Sequence, residues 1–360
     1  LDATLIVNNI IRGNGTITKG DSYLMNFNNN APNPDWTGGF TALQGYSRVT
    51  PSATNFTFGS GAVQAGPTSN LSLNSLTNIA GGAVANFNSG YTTPVVLAVS
   101  QASLFSTGNL DALFPAANNT SRAGMGGILG IDSITTGTPI DLSTFQDGYW
   151  SLGVSLGSST YNGGAGSITA GAGDVYRLGG GGATLTLQPT VAGADVLTGA
   201  SQVLIGRAEA WHGSGYNATP VVFGSNLNNT YSGGTTVTRA RDIGGGWYQT
   251  GLRVDGGDQG AGVFRTPLGT GQVDVFGHLR FQGANGGLVD VAGNNYTSIV
   301  THAGGRITFD NRSAFINPSG EGRYDNDAPL VLNSAHLQVR GTNNVNTAAT
   351  NLEIIGDLTF

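Results

Sequence analysis

The sequence predicts an all-β chain wound as a β-solenoid (β-helix), on three observations. Short apolar or alternating strands recur along most of its length, each closed by Gly, Asn or Asp. Glycine supplies 59 of 360 residues, about one in six against an ordinary usage of roughly 7%, so turns come at short intervals. Two glycine-punctuated strand units also echo each other across the chain. GNGTITKGDSYLMNFNNN with WTGGF and a Val-ending strand (13–49) is the first; NNTYSGGTTV (228–237) with PLGTGQVDVFGHLRF (267–281) is the second. A unit that reads strand, turn, strand, turn cannot bury its apolar face alone and must stack on copies of itself.

Residues 1–50 read as solenoid rungs. The β-branched run ATLIV (3–7) opens them, and alternation continues to Phe27 around corners at Gly13, Gly15 and Gly20. NNNAPNPDW (28–36) carries Pro32 and Pro34, which fix φ and remove donors, so it is expected as an exposed loop from which Trp36 returns to the core. Residues 51–172 form a β-rich excursion, either an insertion or a set of irregular rungs. It holds one short helix, expected over 109–119 because Asp111 to Phe114 favour a turn that Pro115 stops. After it, MGGILGID, TPIDLSTF and YWSLGVSLGSSTY (125–161) read as strands between glycine turns. Residues 173–360 resume the solenoid with its repeat, through DVYRLGGGGATLTLQPTV, then strands such as TGLRVDG, GQVDVFG, HLRFQG, RITFDN and HLQVRG.

Composition narrows the function. Only 10% of residues are charged while 39% are hydrophobic, and the formal net charge is -6 with Lys19 as the one lysine. Neutralising phosphates needs a basic stripe, so nucleic acid is not an expected partner. The absence of cysteine excludes disulfides, thiolate metal sites and cysteine nucleophiles together. No apolar run approaches the ~18 residues that span a bilayer as a helix. Both ends read as bare strands, as NLEIIGDLTF (351–360) illustrates, which predicts self-association of the chain through its terminal strands, head to tail or by strand donation.

Chemistry-bearing residues are sparse and scattered. None of His212, His278, His302 and His336 has metalloprotease spacing; His278 and His336 both precede Leu, in HLRF and HLQV, and are expected at comparable places on their rungs. Asp325 and Asp327 in YDNDAP offer oxygens to a hard cation such as calcium, but calcium needs six to eight oxygens and the loop supplies too few, so Asx turns are favoured and no cofactor or metal is expected. Asp242 with Arg239 and Arg241, and Glu321 with Arg323, do not make the paired carboxylates of a glycan-cleaving enzyme, so no catalytic residue is assigned and no enzyme is expected. Trp211, Trp247 and Tyr248, in WHGSGY and GGGWYQTG, are the best expected glycan contacts, although Trp in a glycine-rich loop more often packs back on the ladder. Sequons at Asn14, Asn55, Asn70, Asn228, Asn311 and elsewhere arise readily in an Asn- and Thr-rich chain.

Residues 229–237, NTYSGGTTV, followed by Leu268, Gly269, Thr270, Gly271, Val273 and Val275, resemble the autotransporter-associated β-strand repeat, also called the passenger-associated transport repeat, of large bacterial surface proteins. A longer RARDIGGGWYQTG segment (239–251) separates the two elements here. The resemblance implies a right-handed solenoid on the outside of a bacterial cell; the lysine-poor, cysteine-free composition fits that compartment. The expected role is then structural, as part of an extracellular filament, lattice or surface layer, with a carbohydrate-binding adhesin or passenger-type module as the alternative. The repeat residues themselves, Tyr231, Gly233, Gly234, Leu268, Gly269 and Gly271, are expected to build core and corners.

Overall fold

A computed structural model describes residues 4–79, 85–86, 95–115, 126–206, 221–238, 251–256, 266–283, 287, 298–311, 323–324, 329–341 and 358–359. The fold is a β-solenoid of about 9 turns, almost all parallel sheet with very little helix. The chain divides into two compact units, the first built mainly from Leu1–Ser159 with Gly179–Thr184, the second from Thr160–Leu178, Leu185–Ala208 and Pro220–Phe360.

In the first unit the strands Thr4–Val7, Leu24–Phe27, Phe40–Val49, Val63–Leu73, Val96–Val99, Ile128–Ile131 and Ser151–Val154 pair successively and in parallel. Residues 63–154 thus continue the ladder begun before residue 50. Alternation decides which side chains go inward: Val49, Leu73, Val99, Ile131 and Val154 are all fully buried. The aromatic centre follows the same logic, with Phe27 in contact with Phe40, Phe56 and Phe58 at ring separations of 5.3, 4.9 and 5.0 Å. The outward face of these strands is apolar as well at Val96, Ala98 and Ile128. The Gly179–Thr184 segment covers it: Gly182 N donates to Ser155 O at 2.7 Å, and a side chain at Gly180 would come within 2.6 Å of Ile128.

The helix is Thr107–Leu113, burying Leu110 and Leu113. It begins two residues before the expected start and ends ahead of Pro115, whose ring disfavours helical geometry in the residue preceding it; 116–119 lie outside the described residues.

The second unit has two parallel ladders. One runs Val175–Leu178, Gln202–Ile205, Thr235–Val237, Val273–Val275, Ile299–Thr301, Leu330–Leu332 and Leu358–Thr359. The other runs Leu185–Leu187, Val221–Phe223, Gly251–Val254, His278–Phe281, Arg306–Asp310 and His336–Arg340. Among the described residues every rung but the last, which holds Leu358–Thr359, gives one strand to each ladder. Apolar side chains fill the inward positions while the outward ones are mostly polar, with exceptions such as Val222 and Val300. Leu252, Leu279 and Ile307 line the interior while Arg253, Arg280 and Thr308 stand in the outward column.

Candidate functional site

The repeat residues occupy the corners. Tyr231 is fully buried, and its hydroxyl shares a hydrogen bond with Thr235 Oγ1; burial pushes the phenol pKa well above its usual value. The next rung lies directly on it, with Thr270 N donating to Tyr231 O at 3.1 Å. A Cβ on Gly269, at φ +65°, would stand 2.2 Å from that same carbonyl oxygen, and one on Gly271 would stand 2.4 Å from Gly234 N. A side chain at either position therefore separates the rungs. Leu268 is fully buried, and Gly233 faces Ala200 O and Ser201 O of the rung before it.

The first unit contains a second complete copy of this corner. Trp36 is buried and its Nε1 donates to Gly15 O at 2.8 Å. Ser60 N donates to Trp36 O at 3.0 Å, a Cβ on Gly59 would stand 2.2 Å from Trp36 O, and one on Gly61 would stand 2.6 Å from Gly39 N. FGSGAV (58–63) thus does in the first unit what LGTGQV (268–273) does in the second. The spacing from the aromatic plug differs between the copies, so the sequence alone did not pair them.

Asparagine brackets hold these corners. Asn229 accepts from Leu197 N at 3.1 Å and donates to Pro267 O at 2.8 Å, joining the rung before to the rung after. Asn33 does the same, accepting from Ile11 N at 2.7 Å and donating to Thr57 O at 2.6 Å. Both side chains are fully buried. The 28–36 stretch, expected as an exposed loop, is corrected in part: Pro32, Pro34 and Asp35 are exposed, but Asn33 and Trp36 latch the segment to both neighbouring rungs.

Two charged clusters were not legible in the sequence. In the first unit the Asp132 carboxylate has no solvent exposure and accepts from Ser72 Oγ (2.8 Å), Gly157 N (3.0 Å) and Ser133 Oγ (3.2 Å) while lying 3.3 Å from Arg48 Nε. In the second unit the parallel register aligns charges on the outward face of four strands. His278, Arg306 and His336 share one column, as expected for the two histidines, and Arg253, Arg280, Thr308 and Gln338 share the next. Arg253 pairs with Asp255 at 2.7 Å, Arg280 with Asp310, and Arg340 lies 3.9 Å from Asp310. Gln338 Oε1 accepts from Arg306 Nη2 and Arg340 Nε, both at 2.9 Å, and His278 Nε2 lies 2.9 Å from Thr308 Oγ1.

Burial holds the Asp255 carboxyl above the usual carboxylate range, against the opposing pull of Arg253, Arg280 and Arg323. Between the ordinary and the raised value the folded chain keeps a proton that the unfolded chain has released, so this group's contribution to stability falls as pH rises through that window. Asp255→Asn is expected to remove that slope and to unfold within about 1 kcal/mol of wild type at neutral pH. Thermal midpoints measured from mildly acidic to neutral pH check it, and a loss well beyond that at neutral pH would show the ion pair to matter more than the burial.

Other described titratable groups serve local structure. Lys19, buried and with its pKa lowered mainly by burial, donates to Asp21 O (2.7 Å), Asp21 Oδ1 (2.7 Å) and Gln44 O (2.8 Å). His302 Nε2 lies 2.9 Å from Asp274 Oδ1, and its ring stacks on Phe276 at 4.1 Å. Trp36 and Trp150 are buried and present no ring to a sugar. Trp211, Trp247 and Tyr248 lie outside the described residues, as do Asp325, Asp327, Glu321 and Asp242. Arg323 is fully buried, its Nη2 donating to Gly283 O at 2.8 Å. Among the described residues no three His, Asp or Glu side chains gather as a metal site, and no helix is long and apolar enough to cross a membrane. Of the sequons, Asn70 and Asn311 are buried, whereas Asn14 and Asn55 are exposed. The class that this geometry defines is a β-solenoid. No known protein family, curated protein or solved structure matches the chain.

Proposed function

We propose that the chain is a structural protein of the bacterial exterior, one section of a filament, lattice or surface layer that grows by rung-on-rung association. The observation that carries this reading is where its buried polar side chains are used. Asn33, Asn78, Asn229 and Asp132 join neighbouring rungs instead of lining a cleft. That use makes the stack itself the product of the sequence. The resemblance of 229–275 to a repeat of large surface proteins supports the compartment, and the cysteine-free composition agrees with it. No catalytic role belongs to this reading.

Association is proposed to use edge strands. Among the described strands Thr4–Val7 is outermost in its ladder, with Leu5 59% and Ile6 49% exposed. An outermost strand carries a free row of backbone donors and acceptors that a further strand can complete. The purified chain is expected to form concentration-dependent oligomers by light scattering and linear particles by negative-stain microscopy. Ile6→Lys, which places a charge on that edge, is expected to reduce both with an unchanged far-ultraviolet spectrum. A chain that stays monomeric at every concentration would overturn self-association.

A further inference from the structure

The outward face of the Gly251–Val254, His278–Phe281, Arg306–Asp310 and His336–Arg340 strands concentrates positive charge on a chain whose net charge is -6. Among the described residues, Arg253, Arg280, Arg306 and Arg340 stand there with two carboxylates, Asp255 and Asp310, and with His278 and His336 beside them. We propose that this face binds a linear acidic polysaccharide, one that carries carboxylates on its repeating sugars. The site is independent of the scaffold reading, since a filament needs no glycan and a glycan-binding face needs no filament.

Geometry favours a polymer. The arginines stand on four successive parallel strands, each about 4.8 Å from the next, with Arg253 and Arg280 in one column, Arg306 two residues to one side of it and Arg340 two residues to the other. The strand step is comparable to the length of one sugar ring, so a chain lying across the strands passes an arginine on each strand it crosses. Guanidinium groups recognise carboxylates through paired N–H bonds. Here they are held in place before any ligand arrives: Asp255 and Asp310 fix Arg253, Arg280 and Arg340, and Gln338 fixes Arg306 and Arg340. Ordering these long side chains in advance lowers the entropic cost of binding. The arginine side chains of Arg253, Arg280 and Arg340 remain 33%, 30% and 27% exposed, leaving N–H edges toward solvent. Arg280 Nε, although buried, has no hydrogen-bond partner.

The same face selects against nucleic acid. Among the described residues it presents no Phe, Tyr or Trp ring on which a base could stack. Gln338, half-buried beside the arginines, can accept a hydrogen bond from a sugar hydroxyl.

Affinity electrophoresis of the full chain through gels containing polygalacturonate tests the assignment, with dextran as the uncharged comparator and a short DNA duplex as the competing anion. Retardation is expected in polygalacturonate and not in dextran, and it should weaken as salt is raised. The double variant Arg280→Gln with Arg306→Gln is expected to lose about ten-fold or more in affinity. Arg12→Gln, which removes an exposed arginine paired with Asp35 in the first unit, should match wild type. Far-ultraviolet spectra and thermal midpoints accompany each variant. If the double variant does not fold, Arg253→Gln, at the end of the column, is expected to give a smaller loss in the same direction. Wild-type retardation in folded ladder variants, absence of retardation in polygalacturonate, or preferential retention by the duplex would each overturn the proposal.

Discussion

Tyr231→Ala is expected to destabilise the second unit by about 3–5 kcal/mol, the range for deleting a large, fully buried aromatic side chain. The ring fills a corner that three rungs share. It also aligns the main chain on which Thr270 N rests and carries the hydroxyl bonded to Thr235. Because neighbouring rungs hold most of each other's stability in a stacked repeat, the loss should be local. Hydrogen exchange is expected to accelerate in the Gln202–Ile205, Thr235–Val237 and Val273–Val275 strands and much less in His336–Arg340. Tyr231→Phe, which removes only the hydroxyl bond, is expected to cost about 1 kcal/mol. An equal cost for Tyr231→Ala and Tyr231→Phe would mean that the ring does not hold the corner.

Asp132→Ala carries the second large effect, about 3–5 kcal/mol, because it leaves Arg48 facing a buried site with no counter-charge and removes the acceptor of Ser72 Oγ and Gly157 N. The carboxylate is enclosed completely, whereas Arg48 keeps 21% of its side chain exposed. The guanidinium can therefore recover some hydration, which places the expected cost toward the lower end. Arg48→Met combined with Asp132→Leu, which removes both charges, is expected to recover a substantial part of the loss. Denaturant unfolding of the single and double variants gives the coupling. If the double variant is as unstable as the sum of the single ones, the pair is not the origin of the effect.

Local chemistry made the fold legible. Glycine corners and short alternating strands report their own geometry, and the HL pairs at His278 and His336 placed two residues in one column without any structure. Trp36 was readable for the same reason, since an aromatic before two glycines has few places to go except inward. The brackets and the charge ladder were not readable because they depend on register between strands separated by loops of unequal length. Nothing near Asn33 in the sequence indicates that its partners are Ile11 and Thr57, and nothing beside Asp132 points to Arg48. The arginine column leaves a faint trace in GLRVD, HLRFQ and RITFD, where a polar residue alternates with an apolar one. Only the pairing of Arg253 with Arg280 and of Arg280 with Thr308 turns that trace into a surface.

The matched corners at Trp36 with Gly59 and Gly61, and at Tyr231 with Gly269 and Gly271, enclose connecting segments of different length while keeping the same contacts. Lengthening a loop adds little entropic cost once its ends are fixed. Such a corner works as a standard joint: sequence between the plug and the glycines can be gained or lost without re-registering the strands. Foreign loops grafted between 238 and 251 should therefore be carried as cargo, with the stack beneath them unchanged.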